Sequence, residues 1–146
     1  MTKRVRCLEP RDEARWRELF DGYLEFYDES IPKSVVDATW TRLVTQADHM
    51  MCLVVEDAVG RVVGFSNLVF HRSTWSPTWY CYLEDLFVDP KVRGVGYGKA
   101  LIEATYAEAD RRGATRTYWT TNGNNATARR LYDTMGELTP FVQYRR

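Results

Sequence analysis

The most constraining feature of the sequence is a glycine-rich loop between a β-favouring run and a helical pattern. Leu86-Phe87-Val88 is apolar, and Asp89-Pro90 ends it because proline stops a strand. Gly94, Gly96 and Gly98 follow, and a helical pattern begins directly behind them. Closely spaced glycines cost backbone entropy, so we expect them to present unobstructed N–H groups at the positive end of a helix. Such a loop cradles an anion, most commonly a phosphate or pyrophosphate.

Two familiar phosphate-binding signatures do not fit this loop. A nucleotide P-loop needs Gly-Lys followed by Ser or Thr, whereas Gly98-Lys99 is followed by Ala100. A dinucleotide fingerprint needs its third glycine where Lys99 stands. The segment from Arg93 to Gly98 instead resembles the Arg/Gln-x-x-Gly-x-Gly/Ala loop of the GNAT superfamily of N-acetyltransferases. A glycine-rich turn without a ligand is the structural alternative.

The resemblance implies a set of cofactor-binding residues. In GNAT proteins the loop holds the pyrophosphate of acetyl-coenzyme A (acetyl-CoA), and the preceding strand is splayed from the next strand and pairs with the pantetheine arm. Carried over to this sequence, the implied residues are Leu86, Phe87, Val88, Arg93, Gly94, Val95, Gly96, Tyr97, Gly98, Lys99 and Asn125. The side chains of the three strand residues equally suit a core strand.

Composition limits the class of protein. The chain of 146 residues suits one domain, 1–146. Twenty Lys and Arg residues balance twenty Asp and Glu residues, which disfavours a nucleic-acid or anionic-membrane partner. No stretch approaches the roughly 18 apolar residues of a membrane span, and the N-terminus lacks the apolar core of a signal peptide. Three scattered cysteines suit a reducing cytoplasm, and two isolated histidines suggest no metal site.

Hydrophobic periodicity and turn signals predict the element order β-α-α-β-β-β-α-β-α-β. The predicted strands are 4–8, 51–56, 61–70, 79–88, 115–121 and 141–145, with a loop over 72–78. The predicted helices are 11–27, 34–46, 99–112 and a last one that runs to about Met135. This order indicates an α/β domain with a mixed, mostly antiparallel twisted sheet flanked by helices, and one parallel pairing around the glycine-loop helix. It matches the GNAT layout along nearly the whole chain.

Asn125 and Tyr132 form a second candidate constellation. Seven residues on a helix make about two turns, so the two side chains share a face. The segment resembles the GNAT pattern Asn-x-x-Ala-x-x-x-Tyr, in which the asparagine contacts the cofactor arm and the tyrosine hydroxyl lies at the thioester sulfur. A phenol with a pKa of about 10 suits the general acid for a thiolate. Helix capping by Asn125 and packing of Tyr132 are the structural alternatives.

The adjacent acids Glu84 and Asp85 are the third candidate. Neighbours on a regular strand point to opposite faces, so only one is expected to face a cleft. Carboxylates beside an apolar strand are costly to bury alone, and a cationic amine would be a suitable partner. The segment 82–88 resembles the diamine (spermidine/spermine) acetyltransferase branch, in which these acids meet the polyamine. Glu84 is favoured as catalytic base or amine anchor, with Asp85 as the substrate-binding alternative; a salt bridge or a loop cap is the structural alternative.

The acceptor pocket is implied only by resemblance. GNAT proteins build it from the loop between the first two helices and the loop before the acidic strand. That nominates Tyr23, Tyr27, Asp28 and Glu29 from the first loop and Trp75 and Trp79 from the second. Aromatic rings with carboxylates suit an ammonium group, although the same rings equally suit a core or a dimer interface.

These features predict an acetyl-CoA-dependent N-acetyltransferase in which a primary amine, for instance a polyamine or another small amine, attacks the thioester directly. Acetyl transfer to a protein amine, an amino acid or an antibiotic is an alternative. A non-catalytic acyl-CoA-binding regulatory domain and a nucleotide-binding fold are rivals from other classes. The resemblance also suggests a homodimer.

Overall fold

A five-stranded sheet with the spatial order β1-β2-β3-β4-β5 organises the chain, whose computed structural model describes residues 3–146. The strands are β1 (Arg4–Cys7), β2 (Met50–Glu56), β3 (Val62–Ser73), β4 (Ser76–Val88) and β5 (Ala114–Tyr118). The first four pair antiparallel, and β5 lies parallel to β4. The predicted α/β class with a mixed, mostly antiparallel sheet is therefore confirmed.

Helices cover both faces of the sheet and enclose two cores. The helices are α1 (Glu13–Phe26), α2 (Lys33–Thr45), α3 (Tyr97–Arg111) and α4 (Ala126–Met135). Short 3-10 turns lie at Pro10–Asp12, Ala47–His49 and Pro90–Val92. On one face α1 and α2 bury aromatic side chains such as Trp16 and Trp40 against the sheet, and on the other α3 buries Leu101 and Ile102. Within residues 3–146 no helix combines the length and apolar composition needed to cross a membrane.

Two glycines let the end of β4 approach its neighbours closely. A Cβ at Gly64 on β3 would stand 2.8 Å from the carbonyl oxygen of Phe87, a separation that side chains do not tolerate. A Cβ at Gly22, in the middle of α1, would stand 3.3 Å from the Phe87 ring. Glycine in a helix interior costs about 1 kcal/mol relative to alanine, so Gly22 is best explained by this contact. The strand before the glycine loop is thus held tightly against β3 and α1.

A β-bulge interrupts β4 at the acid pair. Asp85 pairs with Asn67 of β3, but the next pair along the strands is Leu83 with Leu68, so Glu84 is an extra residue without a β3 partner. An extra residue disrupts the regular alternation of faces. Leu83 therefore packs in the α3-side core, although it lies an even number of residues from Phe87, which packs on the α1 side.

Two sequence expectations about elements are corrected. The predicted strand 141–145 does not form: no strand follows α4, and Phe141, Val142 and Tyr144 are 85%, 77% and 92% exposed. β-favouring composition makes a strand only where another strand pairs with the backbone, and this segment pairs with none of the described residues. The predicted loop 72–78 is mostly strand, because β3 and β4 extend towards each other and leave only Thr74 and Trp75 between them.

Candidate functional site

The glycine loop has the backbone conformation expected of an anion cradle. Gly94 and Gly96 have φ values of 86° and 93°, in the left-handed region that favours glycine. Gly96 is the N-cap of α3, so the unpaired N–H groups of the first helical turn begin there. Gly98 serves packing, since its Cβ would stand 3.3 Å from Leu131 of α4. The loop therefore fits a phosphate group through its backbone.

Of two cationic side chains near this loop, Lys3 lies beside it and Arg93 turns away. Lys3, which the sequence reasoning missed because it lies far away along the chain, has its Nζ 3.6 Å from the Cβ position of Gly96 and 5.5 Å from the Tyr97 ring centroid. Arg93 instead turns back onto the protein: its Nε donates to the Val88 carbonyl at 2.9 Å, and its guanidinium lies over Phe87. The side chain of Arg93 thus braces the end of β4 and leaves the loop backbone open.

The end of β4 is open along the edge that faces β5. The parallel pairing of the two strands stops at Tyr82 with Tyr118, whereas β4 continues to Val88. Backbone groups of Leu86–Val88 that point away from β3 therefore lack a strand partner among residues 3–146. Unpaired backbone N–H and C=O groups need partners, and an extended ligand with amide groups, such as a pantetheine arm, can supply them. The side chains of all three residues contribute to the two cores, as the structural alternative anticipated.

The bulge gives the two acids different environments. Glu84 is exposed, whereas Asp85 is partly buried and its Oδ2 accepts a hydrogen bond of 3.0 Å from Asn67 Nδ2. Burial raises the pKa of Asp85 to about 6, although hydrogen bonds from Asn67 and Tyr23 favour the charged form. The charges of both acids contribute to raising the pKa of Tyr23, after the larger effect of burial, which places both acids near one phenol. The two acids therefore lie near each other at one site, and the expectation of opposite faces is not met.

Phenol side chains connect the acid pair to α4. The rings of Tyr23 and Tyr27 at the end of α1 meet edge to face with centroids 5.0 Å apart. Burial, followed by the influence of Tyr27, raises the pKa of Tyr132 to about 12. Tyr27 thus influences the pKa of both Tyr132 and Tyr23, and Tyr23 in turn neighbours Asp85, so a series of phenols links α4 to the acid pair. The roles of these residues as acid, base and acceptor contacts stay predictions.

The Asn125 side chain hydrogen-bonds within the protein, whereas the Tyr132 side chain makes a packing contact. Asn125 is the N-cap of α4, and its Oδ1 accepts from Ala128 N at 3.3 Å, so the capping alternative is observed. The Tyr132 ring packs edge to face on Trp119 at 5.5 Å. Among residues 3–146 no group hydrogen-bonds to the Tyr132 hydroxyl, which leaves that hydroxyl available to a ligand.

The tryptophans nominated for the acceptor pocket do not reach the acid pair. Trp79 lies six residues before Asp85 on β4, where it packs against His49 and carries the Arg72 guanidinium 3.9 Å above its ring. Six strand residues span about 20 Å. Trp75 lies in the β3–β4 turn and is 85% exposed. Trp79 is therefore a packing residue of the α3-side core in this structure.

The two remaining nominated residues, Asp28 and Glu29, lie in the connection between α1 and α2. They follow Tyr27 at the end of α1 and line a cleft of about 440 Å³ at the connection to α2. Asp21 and Glu25 line the same cleft, which makes its rim acidic. This rim provides a negative approach to the end of α1.

Comparison with known proteins agrees with this geometry. The model of the acetyltransferase (GNAT) family matches residues 15–136. The chain belongs to the GNAT family. The D-amino-acid N-acetyltransferase HPA3 of Saccharomyces cerevisiae is 31% identical to it over 143 residues, which cover 97% of this chain and 89% of that protein.

Solved structures share the fold over almost the whole length. A probable acetyltransferase superposes with a TM-score of 0.85 at 22% identity, covering 98% of this chain and 96% of that one. The aminoglycoside N-acetyltransferase AAC(6')-Iy in complex with CoA superposes with a TM-score of 0.81 at 21% identity, covering 99% and 95%. This GNAT protein is an N-acetyltransferase, and acetyl-CoA is its co-substrate.

Proposed function

We propose that this GNAT protein transfers the acetyl group of acetyl-CoA directly to the primary amine of a small molecule, within a ternary complex. The observation that supports the proposal is the series of neighbouring ionisable groups, Asp85, Tyr23, Tyr27 and Tyr132, that links the acid pair of β4 to α4. Aminolysis of a thioester needs a proton acceptor for the amine and a proton donor for the departing sulfur, and this series holds one candidate for each.

The residues that bind acetyl-CoA are those of the glycine loop and of the open edge of β4. The loop residues Arg93–Lys99 hold the pyrophosphate through backbone N–H groups, with Lys3 adding a positive charge. The backbone of Leu86–Val88 pairs with the pantetheine arm. Asn125 contributes through its Nδ2 group, since its Oδ1 caps α4.

The proposed chemical step assigns a role to each of these groups. The amine nitrogen attacks the thioester carbonyl carbon, the C–S bond breaks, and the products are an N-acetyl amide and CoA thiol. An acceptor that arrives as an ammonium ion first gives one proton to solvent. The second proton, lost by the nitrogen on attack, passes to Glu84 or Asp85, and the departing sulfur takes a proton from Tyr132. Proton exchange with solvent then returns both side chains to their starting states. With its pKa raised to about 12, Tyr132 stays protonated at neutral pH and can act as that donor. Holding both reactants in line supplies much of the rate.

The acid pair favours an acceptor that arrives as a cation. The acidic cleft rim at Asp28 and Glu29 adds to that attraction. A relative that is 31% identical over nearly the whole chain is named for D-amino acids, so amino acids are the first acceptor class we propose. The resemblance of segment 82–88 to diamine acetyltransferases makes polyamines the second. A cytoplasmic location and a homodimer complete the proposal.

A test is CoA release from acetyl-CoA against a panel of D- and L-amino acids, polyamines, lysine peptides and aminoglycosides, with acetyl-CoA binding measured by calorimetry. Turnover of an amino acid or a polyamine supports the proposal. Turnover of lysine peptides alone moves the acceptor to proteins. Acetyl-CoA binding without turnover of any amine favours a regulatory acyl-CoA-binding domain, and absence of binding overturns the role of the glycine loop. Light scattering tests the dimer.

A further inference from the structure

We propose that Asp85 is the proton acceptor of the acetyl transfer, that Asn67 is its positioning residue, and that Glu84 is the outer contact for the arriving ammonium group. The assignment rests on the proposed function and divides the roles within its acid pair. It reverses the preference for Glu84 as the base that the sequence suggested.

The β-bulge separates the two roles. Because Glu84 is the extra residue, its backbone has no β3 partner, and its side chain is exposed. It makes no ion pair with any of residues 3–146, so it is free to meet a cationic acceptor in water. Asp85, by contrast, is back in register opposite Asn67, and the Tyr23 side chain favours its charged form.

The side-chain amide of Asn67 orients Asp85. The residue is 3% exposed, and its Nδ2 donates to Asp85 Oδ2 at 3.0 Å, while its Oδ1 is buried without a partner among the described residues. An unsatisfied buried polar atom destabilises the folded state, so packing alone does not explain an asparagine here. Its amide is suited to both states of the neighbouring carboxyl group: Nδ2 donates to the carboxylate, and after rotation of the amide Oδ1 can accept from the protonated acid.

Tyr23 fixes the other side of Asp85. Its ring packs against the rings of Phe65 and Phe87 at 6.0 Å and 5.9 Å, so the hydroxyl has a defined position. The titratable groups that face Asp85 are Tyr23 from α1, Cys52 from β2 and Glu84 from β4 itself, and Asp85 in turn raises the pKa of Cys52 and Tyr23, after the larger effect of burial on each. With a pKa of about 6, Asp85 is ionised at neutral pH and still basic enough to accept a proton in the transition state.

The test is the pH dependence of kcat/KM for whichever amine the wild-type enzyme turns over. In the wild type kcat/KM should rise with pH through about 6 as Asp85 loses its proton. Asp85→Asn should lose this rise, the acidic limb of the pH profile, and should lower kcat by about 10²- to 10⁴-fold. Glu84→Gln should keep the limb and nearly all of kcat, with a several-fold higher KM for the amine.

Asn67 is tested by the position of the limb. Since Asn67 donates to the charged form of Asp85, Asn67→Leu should move the limb to higher pH and lower kcat more than it raises KM. Asn67→Ser, which keeps a donor, should shift the limb less, and it serves if the leucine variant does not fold. Calorimetry with acetyl-CoA verifies that each variant is folded.

The outcomes separate this assignment from the proposed function. Loss of the limb in Glu84→Gln, with its retention in Asp85→Asn, would overturn the assignment and make Glu84 the base while leaving the acetyltransferase reaction intact. An unmoved limb in both Asn67 variants would overturn the role of Asn67. Absence of turnover by the wild type would instead overturn the proposed function itself.

Discussion

Asn67 Nδ2 donates to Asp85 Oδ2 across 3.0 Å between β3 and β4, and together with Tyr23 it holds a carboxylate in a partly buried position. Burial disfavours the charged form, and the raised pKa of about 6 shows that the hydrogen bonds do not fully offset it. A carboxylate that stays charged at neutral pH despite its burial lowers the stability of the folded protein. Functional sites commonly retain such destabilising ionisable residues.

The first prediction concerns stability. Because the pKa of Asp85 is raised in the folded state, the folded protein binds the proton more tightly than the unfolded chain, and stability falls as pH rises from about 4 to about 6. At about pH 7 the neutral variant Asp85→Asn should therefore have a free energy of unfolding up to about 3 kcal/mol higher than the wild type. Urea denaturation measures this difference. The difference in free energy of unfolding between Asp85→Asn and the wild type should vanish below about pH 4. The exposed Glu84→Gln is the control, and an equal gain in that variant would contradict the account.

The second prediction concerns the glycine loop. Gly94 and Gly113 both have positive φ and open space at the Cβ position, at opposite ends of α3. Alanine at either position should cost a similar strain of about 1–2 kcal/mol, seen as a similar fall in Tm. Only Gly94→Ala should also weaken acetyl-CoA binding, by about tenfold or more, because only that backbone borders the phosphate cradle. Equal calorimetric affinities for the two variants would remove Gly94 from the site.

The third prediction concerns the general acid. Tyr132→Phe should keep acetyl-CoA binding and lose about 10²-fold or more of kcat, since the departing thiolate then lacks its proton donor. Tyr106→Phe is the matched control: the Tyr106 hydroxyl donates to the Met135 carbonyl at 2.5 Å, so its loss should lower Tm and leave kcat unchanged. Unchanged turnover in Tyr132→Phe would assign the proton to water.

The fourth prediction concerns Lys3. Because its ammonium group lies beside the N-terminus of α3, Lys3→Ala should weaken acetyl-CoA binding several-fold at low salt. Added salt should reduce the difference because it screens charges at the surface. Lys33→Ala removes an exposed lysine that pairs with Asp37 and should leave the affinity unchanged. A Lys3 variant that binds like the wild type at every salt concentration would exclude a cofactor contact.

Much of the fold and the outline of the site could be predicted from the sequence. Local signals are strong where a helix has a long apolar stripe, as in α1, or where glycine requires positive φ, as at Gly94 and Gly96. These signals depend only on residues near one another in the chain. They give the element order through α4 and the loop on which the donor site is built.

The remaining features depend on pairing between distant segments. The bulge at Glu84 follows from the register of β4 against β3, and it decides which acid is exposed and which is held by Asn67. No local pattern marks Asn67 or Lys3, because each acquires its neighbours only in the folded chain. The failed strand 141–145 shows the converse, a β-favouring segment that finds no edge to pair with.

The most direct measurement follows an isotope-labelled acetyl group from acetyl-CoA into products, with wild-type enzyme and the best amine of the panel. Direct transfer predicts labelled N-acetyl amine formed in equal amounts with CoA thiol, and no label on the protein when the amine is left out. Labelled protein that forms before the amine is added would contradict direct attack. Thiol released without labelled amide would contradict an N-acetyltransferase acting on that amine.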